Sequence, residues 1–245
     1  MSFQTMNEKI EKHILPIANK LSSQRHLRAI RDAFISLLPI TLMGGVTAVI
    51  SAAPVTEETT NGFLLAWASF VQQNSMLLNW ISALTLGGMS IYVCIAITYY
   101  LTRHFKHDFL VPAMLSVCGF LMLVMTPQQL GWDGKVVEIS YMDGKGILPA
   151  ILISILTVEA YHFMRSHDWG RINLPPSVPA SLSETFASLV PGFVIISGYV
   201  AIFAIFHAFD TTFPEFIYTS MAPSLQAADS LLFIVIMTLL VHFFW

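Results

Sequence analysis

The sequence predicts an all-α polytopic membrane protein, and three observations predict it. The 245 residues are 55% hydrophobic and only 11% charged, where soluble domains carry about 25% charged residues. Apolar runs of membrane-spanning length recur along the chain. The basic residues gather on one side of those runs. Arg25, Arg28 and Arg31 lie one helical turn apart, and an uncharged stretch from Ala33 to Ala53 follows them. A helix needs about 20 apolar residues to cross a bilayer, and arginine is costly inside one. The three arginines therefore mark the entry of the first span.

The elements follow in order. Before that span, Phe3, Met6, Ile10, Ile14, Ile17 and Leu21 recur at helical spacing, with Glu8, Lys9, Glu11 and Lys12 off the stripe. Residues 1–24 are expected to form an amphipathic helix lying on the membrane or on the protein. Span one is expected over 33–53, where Gly44 and Gly45 permit close helix contact. Residues 62–78 read as a short interfacial helix that carries Trp67. Span two is expected over 80–101 and span three over 109–126. The polar loop 127–146 contains Asp133-Gly134 and Asp143-Gly144 turn signals and is expected to hold a small hairpin. Span four is expected over 146–164 and span five over 186–208, after a proline-punctuated loop. Residues 211–245 read as a connection and the start of an incomplete sixth span, because Leu231–Trp245 supplies 15 residues without Lys, Arg, Asp or Glu. That length predicts the front portion of a longer protein.

The basic residues test the topology. Lys9, Lys12, Lys20, Arg25, Arg28, Arg31, Arg103, Lys106, Arg165 and Arg171 fall on one side of these spans, and Lys135 and Lys145 on the other, out of 12 in all. Basic loops prefer the cytoplasm. The N-terminus is therefore expected inside, with residues 25–210 forming a five-span unit.

Chemistry-bearing motifs are scarce. The chain has no glycine-rich phosphate loop, metal-binding histidine pair or nucleophile elbow, so no catalytic residue, cofactor or metal is expected. Cys94 and Cys118 sit in apolar runs and read as packing residues. Glu159 is the acid well inside a predicted span, which makes it a candidate for the transport path beside an equally plain structural role near the headgroups. His207 and Asp210 are one turn apart at the outer end of span five. His104 and His107 stand beside Arg103 and Lys106, where acidic lipid is the natural neighbour. In the loop 172–192, Pro175, Pro176 and Pro179 stiffen the backbone, Ser181 or Ser183 can cap the next helix, and Pro191 lies inside that helix.

That loop carries a family resemblance. Leu174-Pro175, Val178-Pro179, Phe186, Leu189 and Pro191 resemble the signature of enzyme IIC, the membrane component of bacterial phosphotransferase-system sugar permeases. Ala180 stands where a second proline is common. The opening stretch Leu27-x-Ala29-Ile30-Arg31-Asp32, with Leu38-Pro39 and Gly44, is similar too, and the nearest branch is lactose/cellobiose/diacetylchitobiose. The resemblance implies a homodimeric permease of the bacterial cytoplasmic membrane. It would take a β-linked disaccharide inward for phosphorylation by phosphorylated enzyme IIB, in contact with membrane lipid and with no nucleic-acid partner. It places the sugar-binding histidine and glutamate beyond Trp245, so the substrate-binding residues of this chain stay unknown. A membrane scaffold or membrane enzyme without transport, or an inactive truncated permease, is the competing reading.

The topology makes a direct prediction. In a background lacking Cys94 and Cys118, a cysteine replacing Lys135 should react with an impermeant maleimide on whole cells, and one replacing Arg171 should not. The reverse pattern would sink the assigned orientation.

Overall fold

The computed structural model describes residues 23–125, 140–170 and 180–228, with side chains described from 186 to 221 in the last stretch. Every regular element among them is helical. The expected N-terminal helix (but for residues 23 and 24), residues 126–139 of the expected hairpin loop and the run Leu231–Trp245 lie outside the described residues, and Tyr141 of that loop lies in a turn.

The first expected span is two helices. Helix α1 covers Arg25–Ser36 and α2 covers Leu38–Ser51, bent by 50° at the join. Pro39 causes the break, since it has no N–H to return to the preceding turn. Around the join, Ser36 Oγ donates to the Ala33 carbonyl at 2.7 Å and Thr41 Oγ1 to the Leu38 carbonyl at 3.1 Å. Helix α1 also begins eight residues earlier than the expected span. Ala29 and Ala33 are buried against the bundle while the arginines point outward, so the basic turn is itself helical and packed.

The interfacial helix expected over 62–78 is shorter. It is α3, Gly62–Gln73, capped by the Asn61 side chain accepting from Phe63 N–H at 2.9 Å. Trp67 Nε1 donates to the Ile50 carbonyl at 2.7 Å and so pins α3 to the end of α2. Residues from Ser75 onward already belong to the next apolar unit, which comprises α4 (Ser75–Thr85) and α5 (Met89–His104). The break between them passes through Gly87, where an added Cβ would lie 2.6 Å from the Ala83 carbonyl oxygen. Gly44 serves the close contact expected of it, for a Cβ there would sit 2.6 Å from both Leu86 Cγ and Thr85 Oγ1. Gly45 faces open space instead.

Four further helices complete the described chain: α6 (Leu110–Val124), α7 (Ile147–Ser166), α8 (Ala180–Ala208) and α9 (Phe213–Ala228). Helix α8 begins at Ala180, which puts Ser181 and Ser183 within its first turns rather than at its cap, and it continues through Pro191. Thr212 and Glu215 cap α9 reciprocally: Glu215 Oε2 accepts from Thr212 N–H at 3.0 Å, and Thr212 Oγ1 from Glu215 N–H at 3.3 Å. Tyr218 of α9 donates to the Lys145 carbonyl. Burial raises the Tyr218 phenol above its ordinary pKa, with Asp143 and Tyr141 adding to the effect.

Three stretches of the described chain are long and apolar enough to cross a membrane: Ser75–His104, Gly144–Ser166 and Phe186–Ala208. The bent α1–α2 pair counts as a fourth if it is one span. Helix α6 is apolar but has 15 residues, about 22 Å at 1.5 Å per residue.

The core lies among α5, α6, α7 and α8, with α1 laid along α5. Its stripes have helical spacing: Ser90, Val93, Cys94, Ile97, Thr98, Leu101 and Thr102 on α5, and Ala150, Ile153, Ser154, Thr157, Val158 and Tyr161 on α7. Small residues let these helices approach. The closest approach is Gly119 on α6, where an added Cβ would lie 2.5 Å from Tyr199 Cδ2 on α8. Tyr199 is held by its own hydrogen bonds and cannot retreat.

Gly119→Ala is therefore expected to lower stability by about 1–3 kcal/mol, the usual cost of overpacking, read as an earlier thermal unfolding of the purified chain. Gly198→Ala, with nothing within 4 Å of the new methyl group, is expected to be neutral or slightly stabilising.

Candidate functional site at the basic end of the bundle

The ends of α1, α5 and α7 that carry arginine meet on one side of the molecule. Glu159, on α7, is the acid around which they assemble. Arg25 Nη2 donates to Glu159 Oε2 at 3.0 Å, and His26 Nε2 lies 2.8 Å from Oε1. Both carboxylate oxygens are thus engaged by the first turn of α1. The carboxylate is 29% exposed and the Arg25 side chain 42%, so the pair sits at the edge of the bundle rather than in its interior.

Aromatic rings extend this cluster. The Arg25 guanidinium carbon lies 5.1 Å from the centroid of the Phe105 ring, and His162 stacks on the same ring at 3.8 Å. His162 Nδ1 is 2.9 Å from His107 Nε2. Such a bond needs one imidazole nitrogen to accept, so at least one of the two rings is neutral. Tyr161 OH lies 2.7 Å from Ser188 Oγ, which ties α7 to α8 at the same end.

A seam of hydroxyls runs inward from this cluster. Thr98 Oγ1 donates to Ser116 Oγ at 2.9 Å, joining α5 to α6. Ser154 Oγ of α7 reaches the Cys94 carbonyl of α5 at 3.1 Å and its Sγ at 3.3 Å. Tyr199 OH lies 2.6 Å from Thr157 Oγ1 and donates to the Ile153 carbonyl at 3.1 Å. Among the described residues, Thr102 Oγ1 is the buried side-chain oxygen without a hydrogen-bond partner. Cys94 is buried, in line with a packing role, whereas Cys118 faces outward.

At the other end, a cleft of about 620 Å³ opens between α6, α8 and α9 and is lined by Phe203, Phe206, His207, Asp210 and Phe213 among others. His207 and Asp210 share this cleft. Their recorded link is between backbones, Asp210 N–H to the His207 carbonyl at 3.2 Å, and the His207 ring lies parallel to Phe203.

The model of the family "Phosphotransferase system, EIIC" matches residues 31–245. The chain belongs to the EIIC family. It is 26% identical over 200 residues to the PTS system oligo-beta-mannoside-specific EIIC component of Bacillus subtilis (strain 168), covering 80% of this chain and 44% of that protein. It is 28% identical over 236 residues to the PTS system lactose-specific EIICB component of Staphylococcus aureus (strain COL), covering 94% of this chain and 40% of the relative. The solved structure of the transporter ChbC, the IIC component of the N,N'-diacetylchitobiose-specific phosphotransferase system, superposes with a TM-score of 0.79 at 26% identity, over 96% of this chain and 56% of ChbC. The chain thus spans about half the length of the EIIC proteins it matches.

Of the signature positions that carried the resemblance to EIIC, Leu174, Pro175, Val178 and Pro179 lie outside the described residues. Phe186, Leu189 and Pro191 fall on α8. Pro191 is buried, Phe186 half-buried and Leu189 exposed at 52%. The cluster around Glu159 was not foreseen as a unit, although its charges were visible. On its own helix Glu159 has Tyr161, His162 and Arg165 as sequence neighbours. The partners that hold it come from α1, more than 130 residues away. One signal was available: Glu159, near the end of its span, lies at the depth where the arginine-rich turn enters the first span.

Arg25→Gln and Glu159→Gln, singly and together, are expected to give a coupling energy of up to about 1 kcal/mol in a double-mutant cycle on thermal stability, as partly exposed ion pairs do. Strict additivity of the two changes would mean that the pair contributes nothing to holding α1.

Proposed function

We propose that this EIIC chain forms the scaffold part of a permease in the bacterial cytoplasmic membrane, which moves a β-linked disaccharide of the cellobiose/diacetylchitobiose class inward for phosphorylation by phosphorylated enzyme IIB. The family match over residues 31–245 is the observation that carries the reading. The similarity to ChbC and to relatives named for cellobiose, lactose and oligo-β-mannoside supports the substrate class. In this reading the N-terminus is cytoplasmic, residues 25–210 contribute five spans, and two copies associate.

The sugar contacts are assigned to residues outside the described bundle. A disaccharide is recognised by polar groups converging on a pocket. Here the buried hydroxyls of Thr98, Ser116, Ser154, Thr157 and Tyr199 already face one another or backbone carbonyls. Redirecting any of them to a sugar would strip a partner from a buried group, at about 1–3 kcal/mol each. The described helices supply a rigid wall, and Glu159 holds that wall together rather than lining the transport path. Phe186, Leu189 and Pro191 lie in the half of α8 that Ser188 ties to Tyr161, the end this reading assigns to the cytoplasm, where enzyme IIB would approach.

Uptake of radiolabelled cellobiose and diacetylchitobiose by cells with and without the gene tests the transport reading. Deletion is expected to abolish uptake of at least one of them and its accumulation as a phosphate ester. Calorimetry tests the site assignment, with residues 1–245 alone expected to give no heat with either sugar. Unchanged uptake of every β-linked disaccharide tried would overturn the function, and micromolar binding by residues 1–245 would overturn the assignment of the site.

A further inference from the structure

A second feature of the basic end is not absorbed by the Glu159 cluster. On the outer side of α1, a cleft of about 300 Å³ opens between α1 and α5 and is lined by Arg25, Arg28, Asp32, Tyr100, Arg103 and His104 among others. The charges in it are unequally matched. Arg25 is held by Glu159. Asp32 is held by Arg31, whose Nη2 and Nε donate to Oδ1 at 2.8 and 3.0 Å. Arg28 and Arg103 come from different helices and line the same cleft, and among the described residues neither is in an ion pair. Arg103 has one long hydrogen bond, to Tyr99 OH at 3.4 Å. Asp32 is the acid that lines the cleft, and its Oδ1 is already engaged by Arg31, so the guanidinium groups of the cleft outnumber its carboxylates.

The surroundings say what form the anion takes. Beside Arg103 the surface turns aromatic and then apolar. Arg103 reaches Tyr99 OH, Tyr99 packs edge-on against Tyr100 at 5.1 Å and against Phe109 at 5.3 Å, and Phe109 and Leu110 are 38% and 50% exposed. Tyrosine marks the headgroup level of a span, where exposed apolar side chains meet acyl chains. A free ion has no use for that wall, whereas an amphiphile uses both parts. Guanidinium matches phosphate oxygens in pairs.

We propose that the α1–α5 cleft is a binding site for a phosphate group, and that the phosphate is that of an anionic phospholipid, held by Arg28 and Arg103 with an acyl chain on Phe109 and Leu110. The lipid then bridges α1 to α5 beside the Arg25–Glu159 pair and adds a second tie on α1. The inference rests on the bundle crossing a bilayer and is independent of which sugar is carried.

Native mass spectrometry of the full chain in detergent tests it, with phosphatidylglycerol and phosphatidylcholine as the probes and inorganic phosphate as competitor. Phosphatidylglycerol is expected to be retained in preference to phosphatidylcholine. One basic residue near an anionic surface is worth about fivefold in affinity, so Arg28→Gln and Arg103→Gln should each cost about fivefold and the pair about thirtyfold. Lys145→Gln, at the other end of the bundle, should cost nothing. The single variants alter exposed residues and keep the test readable if the double variant is unstable. Equal retention of the two lipids, retention of phosphatidylglycerol by the double variant, or an equal loss in Lys145→Gln would overturn the site. Displacement of the lipid by inorganic phosphate would overturn the lipid as its source.

Discussion

A hydroxyl buried between helices in a bilayer has no water to turn to, and the bundle is ordered by that constraint. Each unpaired polar group in hydrocarbon costs several kcal/mol. The inward stripes of α5 and α7 nevertheless carry serine, threonine and cysteine. Their first recourse is local: Thr98, Ser154 and Thr157 each lie within hydrogen-bond distance of the carbonyl four residues back, and each has one proton to share between that acceptor and another. The second is a neighbouring helix, and there the same oxygens select registers. Thr98 fixes α5 against α6, Ser154 fixes α7 against α5, and Tyr199 fixes α8 against α7. Apolar packing alone distinguishes poorly between registers, since lipid tails satisfy leucine as well as protein does. The hydroxyls make the register specific, and the small residues around them let the backbones come close enough.

The same constraint explains what was legible in the sequence. Hydropathy found the apolar runs, and the described residues of the spans expected over 80–101, 109–126, 146–164 and 186–208 are mainly helical. It could not find their inward faces, because the outward face of a membrane helix is equally apolar. Leu152 and Leu156, half exposed, flank the buried Ile153 and Ser154. The informative period is that of size and polarity, as in Ser90, Cys94, Thr98 and Thr102, and a hydropathy reading averages it away. The break at Leu37 was legible in principle from Pro39, but the uncharged run masked it. The end of α3 at Gln73 depends on Asn74 bonding back to the Phe70 carbonyl, a local choice that an amphipathic pattern does not encode.

The candidate site was half legible. Glu159 was picked out because a carboxylate in a span demands an explanation. Its explanation lies in a contact between the first and seventh helices, and sequence spacing says nothing about contacts over such a separation. Resemblance supplied the family through the loop 174–191, while the physical reading of that loop gave only a stiff segment leading into a helix. The two kinds of inference meet at Pro191. Pattern marks it as a signature residue, and burial shows it packed inside α8, where it leaves the Ala187 carbonyl without its usual donor.

The basic end brings these threads together. The protein places five arginines, Arg25, Arg28, Arg31, Arg103 and Arg165, with two paired histidines and an aromatic layer, where three helices leave the apolar region. Two of the acids there are committed to bases: Glu159 to Arg25 and His26, Asp32 to Arg31. A mobile element of a transporter would be poorly served by such commitments, because moving α1 relative to α7 would expose Glu159 to the apolar region without its partners. The helices joined there, α1, α5, α7 and, through Tyr161 and Ser188, α8, therefore behave as one body. On the proposed reading, any motion that carries a sugar past them occurs against this body rather than within it.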